Sequence, residues 1–125
     1  MKGVRPSRKD FGPLESEVMD AVWRAGRAVA VRDVVDALNE SRSEALAYTT
    51  VMTVMSRLAE KEALSRRKVG RGYLYEANAP DAAGIAVKDV LRAYGDVAVA
   101  HFVDEARADP SLRRRLRRLL DEADG

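Results

Sequence analysis

The chain has 125 residues, enough for one domain of ordinary size or for a domain of about 70–80 residues with an appended element, and too few for a second full core. A hydrophobic fraction of 46%, a charged fraction of 34% and a net charge of +2 belong to a folding globular chain, because disorder calls for fewer apolar residues and a larger net charge. The absence of cysteine excludes a disulfide scaffold, a thiolate metal site and a cysteine nucleophile, and a single histidine, His101, removes imidazole clusters, so neither an enzyme nor a bound cofactor or metal is expected.

The first nine residues carry Lys2, Arg5, Arg8 and Lys9 and no acid, a basic arm. Asp10, Glu15, Glu17 and Asp20 then interrupt the stretch in which a signal peptide needs an apolar run, and the longest uncharged run, residues 45–56, is too short and too rich in threonine to span a bilayer. The expected location is cytoplasmic.

Residues 13–25 predict a first helix. Pro13 suits the first helical position, Glu15 and Glu17 suit the positive end of the helix dipole, and Leu14, Val18, Ala21, Val22 and Ala25 recur with helical spacing until Gly26. Met19 and Trp23 read as core of this helix. A second, shorter helix covers residues 31–39 with Val31, Val34, Val35 and Leu38 on one stripe; Ala30 stands where a capping Ser or Thr would be expected.

The third helix is predicted over residues 48–62. Its apolar stripe is Val51, Val54, Met55 and Leu58, and its other face gathers Thr49, Thr50, Thr53, Ser56, Arg57 and Glu60. Threonine is a poor helix former, so each one on an exposed face lowers helix stability by about a few tenths of a kcal/mol. Such residues are there for something other than the helix. Residues 64–69 and 73–77 then read as strands joined by Gly70-Arg71-Gly72, glycines that close a hairpin by allowing positive φ.

Beyond Ala79-Pro80 the pattern turns helical again. Residues 81–94 carry Ile85, Val87, Val90, Leu91 and Tyr94; Gly95 interrupts; residues 97–106 carry Val99, Phe102 and Val103; and Asp109-Pro110 opens a last helix with Leu112, Leu116, Leu119 and Leu120. Fewer than about 50 residues rarely sustain a core alone, so this tail should pair with a second copy through Val90, Leu91, Phe102, Leu112, Leu116 and Leu119. Arg113, Arg114, Arg115, Arg117 and Arg118 read as a solvated face bridged to Asp109, Asp121 and Glu122, and His101 as an interfacial side chain.

The fold class that follows is mainly α with a small β-hairpin: a winged helix-turn-helix over residues 1–80, then a helical dimerisation region over residues 81–125. Charge supports a polyanion partner. Residues 10–47 hold four basic against eight acidic side chains, whereas residues 48–75 hold six basic against two acidic, so positive charge gathers where the third helix and hairpin lie. In a winged helix the third helix enters the major groove and the wing lies along the backbone. The candidate contacts with double-stranded DNA are Tyr48, Thr49, Thr50, Thr53, Ser56 and Arg57 on the helix and Arg67, Lys68, Arg71 and Tyr73 on the wing; the alternative for Tyr48 is packing against the second helix. The rival reading is a winged-helix protein-interaction module that never touches nucleic acid, although such modules usually carry hydrophobic or acidic contact residues on the third helix.

Residues 46–59 (LAYTTVMTVMSRLA), with LESEVMDAVW at 14–23 and GYLY at 72–75, resemble the penicillinase-repressor family typified by the β-lactamase and methicillin-resistance repressors. The stretch VAHFVD at 99–104 and the closing leucine helix resemble that family's dimerisation region. The resemblance implies a homodimer that binds a palindromic operator and blocks transcription, with no small-molecule substrate. In members paired with a membrane metallopeptidase receptor it implies release by proteolysis at a bond matching His101-Phe102 here, where the family usually has Asn in the first position. One branch senses copper through a C-terminal cysteine hook, and a chain without cysteine lies outside that branch.

Overall fold

The computed structural model describes residues 11–124, so the basic arm with Lys2, Arg5, Arg8 and Lys9 lies outside the described residues. Helix α1 (Pro13–Ala25) begins at Pro13, where a missing N–H costs nothing, and the Glu15 carboxylate accepts the Gly12 N–H at 2.9 Å. Gly26, at φ 67°, ends it in the left-handed conformation that favours glycine. Helix α2 (Val31–Asn39) starts at Ala30 without a side-chain acceptor, but Asp33 accepts the Ala30 N–H at 2.9 Å. Each helix therefore uses the reaching-back half of a capping box. A carboxylate in the first turn replaces the hydroxyl that Ala30 lacks.

Between α2 and the next helix, the Asn39 side chain accepts the Leu46 N–H at 2.8 Å and donates to the Leu46 carbonyl at 3.2 Å. Arg42 reaches back to Glu17 of α1 at 2.7 Å. Helix α3 (Tyr48–Glu60) then buries Val51, Val54, Met55 and Leu58. At about 1.5–3 kcal/mol for each buried side chain of this size, that stripe outweighs the few tenths lost at each threonine on the opposite face.

The helix stops two positions short of the predicted residue 62. Glu62 has φ 65°, its N–H donates to the Ala59 carbonyl, and the Ala63 N–H donates to the Leu58 carbonyl at 2.9 Å. This is a Schellman ending with glutamate in the position glycine usually takes. Burial of Ala63 and Leu64 directly after the cap, together with the Asn78 side chain donating to the Glu62 carbonyl at 2.6 Å, holds the strained residue there.

Strands β1 (Leu64–Val69) and β2 (Gly72–Ala77) pair antiparallel, with Lys68 opposite Tyr73 and Arg66 opposite Tyr75. The turn has two residues, Gly70 and Arg71, and not the predicted three. Gly72 is the first residue of β2, opposite Val69, and the positive φ falls on Gly70, the position a two-residue II′ turn assigns to glycine. Val29, between α1 and α2, exchanges both backbone hydrogen bonds with Tyr75, a one-residue third strand that ties the hairpin to the helices.

One core joins α1, α2, α3 and the base of the hairpin, with Met19, Met55, Leu58, Leu64 and Tyr75 among its fully buried members. One sequence expectation needs correction: Ala25, counted on the first apolar stripe, is exposed beside the helix end. Trp23 packs against the core as expected, partly buried, with its indole N–H at the rim donating to the Ala79 carbonyl at 2.8 Å.

Chain contacts separate a first compact unit, ending at Ala86, from a second that begins at Val87. The division falls inside helix α4 (Ala82–Tyr94): Ile85 is buried in the first core, whereas Val87, Val90 and Leu91 are exposed. Gly95, at φ 59°, separates α4 from α5 (Asp96–Ala108), and Asp109 caps α6 (Pro110–Asp124) by accepting the Ser111 and Leu112 N–H groups at 3.0 and 3.2 Å. Helices α5 and α6 pack on each other. The salt bridges expected from the arginine cluster to Asp109, Asp121 and Glu122 are not formed among the described residues: Asp109 is committed to the cap, and Arg113 donates to the Arg107 carbonyl at 3.1 Å. Nor is any helix among the described residues long and apolar enough to cross a membrane.

Candidate nucleic-acid interface

Because α3 points Val51, Val54, Met55 and Leu58 inward, its 3.6-residue period turns Thr49, Thr50, Thr53 and Arg57 outward, and all four are exposed. Ser56 is half-buried. Thr50, Thr53 and Arg57 line a shallow groove between α3 and the start of α1, with Leu14 and Glu15 on its other side and Lys61 at the end of α3. Tyr48 stands at the beginning of α3 with the Arg32 guanidinium 5.0 Å from its ring centre, so the ring packs on α2 while remaining 41% exposed.

Glu15 controls the charge at one end of this groove. Its carboxylate is nearly buried, accepts from Lys61 at 2.8 Å and from the Gly12 N–H, and lies in the field of Arg57. Burial pushes its pKa up, but the Lys61 and Gly12 hydrogen bonds and the charges of Lys61 and Arg57 outweigh that and hold it below the ordinary 4.5. Glu15 is thus ionised at neutral pH, restraining Lys61 and leaving Arg57 exposed beside the threonines.

The pleat of the hairpin sorts the wing residues. Arg66, Lys68, Tyr73 and Tyr75 share one face, while Arg67 and Leu74 share the other and Arg71 stands at the turn. Arg67, Lys68 and Arg71, expected to act together, are therefore separated. Tyr73 has the Lys68 ammonium 5.5 Å and the Arg66 guanidinium 4.5 Å from its ring centre. Arg66 also donates to the Tyr75 hydroxyl at 3.3 Å and to Ser56 Oγ of α3 at 3.4 Å.

Two residues of this surface escaped sequence reasoning. Met52 is 40% exposed on α3 in the row of Tyr48 and Ser56, a four-residue spacing that could have disclosed it. The other is Arg66, whose two-residue spacing from Lys68 and place opposite Tyr75 follow from a hairpin closing at Gly70.

Residues expected to bury a second copy lie on the other unit. Val90, Leu91, Phe102 and Leu119 are exposed, at 45, 45, 45 and 57%, and Leu112 and Leu116 are half-buried. His101 and Phe102 sit within α5, both exposed.

Residues 11–122 match the model of the family described as penicillinase repressor. The transcriptional regulator BlaI of Mycobacterium tuberculosis, in strains CDC 1551 / Oshkosh and ATCC 25618 / H37Rv, is 38% identical over 118 residues, covering 87% of this chain and 84% of the relative. Among solved structures, a complex of hsRosR-S4 aligns with a TM-score of 0.55 at 14% identity, covering 96% of this chain and 95% of that one. The A103V mutant of MepR from a multidrug-resistant S. aureus clinical isolate aligns with a TM-score of 0.50 at 14% identity, covering 94% and 83%. At such identities these two likenesses concern the fold, a winged helix-turn-helix with a helical extension.

Proposed function

The chain belongs to the penicillinase-repressor family, transcriptional regulators and not enzymes, and on that premise we propose that it is a cytoplasmic homodimer that represses transcription by binding a palindromic operator in double-stranded DNA. The observation that carries this reading is the outer face of α3. Thr49, Thr50, Thr53 and Arg57 are held outward by four buried side chains, and hydroxyls, methyls and one guanidinium are the groups that read base edges and phosphates in a major groove. The wing supplies Arg67, Lys68 and Arg71 for the phosphate backbone, and Tyr48, Ser56 and Tyr73 complete the proposed contact set. Half-sites one helical turn of about 34 Å apart, or a multiple of it, bring two copies of α3 to one side of the duplex.

The second copy is held through Val90, Leu91, Phe102, Leu112, Leu116 and Leu119. The exposure of Val90, Leu91, Phe102 and Leu119 leaves apolar surface that a like surface would cover. Induction follows by a cut between His101 and Phe102 made by a membrane metallopeptidase receptor. That bond lies inside α5, and proteases bind extended backbone, so α5 must open first. Intact mass of the chain recovered from cells in which its target gene is derepressed tests this step; an uncut chain there rejects it.

Fluorescence anisotropy with mixed genomic duplexes tests the reading as a whole. Binding that weakens steeply with salt is expected, since each phosphate neutralised contributes a log–log slope of about −0.9. No binding at low salt would leave the protein-interaction module as the better account.

A further inference from the structure

Three features lie outside the proposed contact set: the half-buried Trp23 at the rim of α1, the arginine cluster of α6, and Arg66. The third has defined partners on two elements. We propose that Arg66 is a positioning residue that locks the wing to α3, so that the two surfaces meant for DNA keep one spacing; this rests on the DNA-binding reading above. The guanidinium lies 4.5 Å over the Tyr73 ring, donates to the Tyr75 hydroxyl at 3.3 Å, and donates to Ser56 Oγ on α3 at 3.4 Å. Its partners therefore include the wing strand β2 on one side and α3 on the other.

Each contact alone is weak, since the two hydrogen bonds are long and the stack is exposed. Their combination is what matters. The guanidinium carbon stays over the Tyr73 ring while one nitrogen, Nη1, donates both hydrogen bonds in the guanidinium's own plane, a combination of stacking and reach that the shorter, non-planar head of lysine does not match. The base of the hairpin is already anchored by buried Leu64 and Tyr75 and by the Val29 bridge. Above that base, Arg66 bonds the wing to α3 at Ser56. Ser56 and Tyr73, both read from the sequence as DNA contacts, thereby also serve as the two ends of this tie.

The role predicts a phenotype different from phosphate contact. An arginine that touches phosphate is rescued by lysine, and its loss lowers affinity on all sequences and shallows the salt slope by about 0.9. A positioning arginine is not rescued by lysine. Its loss falls mainly on the sequence that needs both surfaces in register, with the salt slope unchanged.

The experiment uses the full chain, a duplex recovered by that chain from a random-sequence library, and a scrambled duplex of the same composition, titrated at two salt concentrations. Arg66→Ala and Arg66→Lys are both expected to bind the recovered duplex about tenfold more weakly, with little change on the scrambled one. Tyr75→Phe keeps every cation and the buried ring but removes one hydroxyl, so it should reduce the same ratio by about twofold to threefold. It also guards against misfolding of the arginine variants, which thermal melting monitors. Rescue by Arg66→Lys, an equal loss on both duplexes with a shallower slope, or an unaltered ratio in all three variants overturns the proposal. A wild-type chain that recovers no duplex overturns the DNA-binding reading itself, and the wild-type titration separates that failure from failure of the positioning role alone.

Discussion

The two units of the chain contrast in how they use apolar side chains. The unit ending at Ala86 buries Met19, Met55, Leu58, Leu64 and Tyr75 and turns threonines and arginines outward. In the unit beginning at Val87, Ala106 is buried while Tyr94, Val97, Val99, Phe102, Leu119 and Leu120 are exposed. Helices of similar length and amphipathicity have opposite fates because the first three cross a shared interior closed by a hairpin, while α5 and α6 pack chiefly on each other and leave much of their stripes exposed. The first unit presents a polar surface, and the second an apolar one.

The sharpest test of that contrast removes the apolar surface. Leu116→Asp should convert the proposed dimer to monomer at micromolar concentration in sedimentation and abolish tight operator binding, while leaving the first unit folded. A variant that stays dimeric would place the interface elsewhere. A complementary change in the first unit, Leu58→Ala, should cost about 2–5 kcal/mol in chemical denaturation, because it leaves a cavity in a closed core. An effect as small as that of an exposed leucine would deny that core its role.

Smaller effects probe the polar surface. Arg57→Ala is expected to cost about 1–3 kcal/mol of operator affinity and to relax sequence preference, whereas Arg67→Ala and Arg71→Ala should weaken operator and scrambled duplexes alike and shallow the salt slope. Quantitative binding at two salt concentrations checks the division; wing variants that changed the preferred sequence would reverse it.

The smallest expected effect concerns Glu15. Its folded pKa is depressed, so its contribution to stability is fully present above the ordinary 4.5 and is lost as pH falls through that value toward the lower folded one. Glu15→Gln should therefore melt lower than wild type at pH 7, and the difference should shrink below about pH 4. A difference that stayed constant across that range would mean that the charge on Glu15 is irrelevant to the helix start and to Lys61.

Much of the fold was legible because it depends on local chemistry. Pro13, Gly26, Gly70, Gly95 and Asp109-Pro110 punctuate the chain, and the apolar periods between them match α1, α2, α3 and α6 closely. The threonine-rich face of α3 stood out because nothing in helix propensity favours it. Glu62 was missed because no local rule puts glutamate at positive φ; burial of Ala63 and Leu64 beside it does so. Spacing alone pairs the arginine cluster of α6 with Asp109, but Asp109 answers first to the two free N–H groups at the start of its helix.

By itself the sequence determined the order of elements and the faces they bury, since these follow from residue type and period, while the family was indicated by the resemblance of particular stretches such as residues 46–59. Only the tertiary structure decided which neighbours share a surface. Arg66 and Arg67 are adjacent in the chain, yet pleating sends one toward Tyr73, Tyr75 and Ser56 and the other to the opposite face of the wing. Glu15 and Lys61, 46 residues apart in sequence, meet at 2.8 Å because α1 and α3 cross over one core. Periodicity assigns a side chain to a face, but what that face meets depends on packing among distant segments, and no single stretch of sequence contains it.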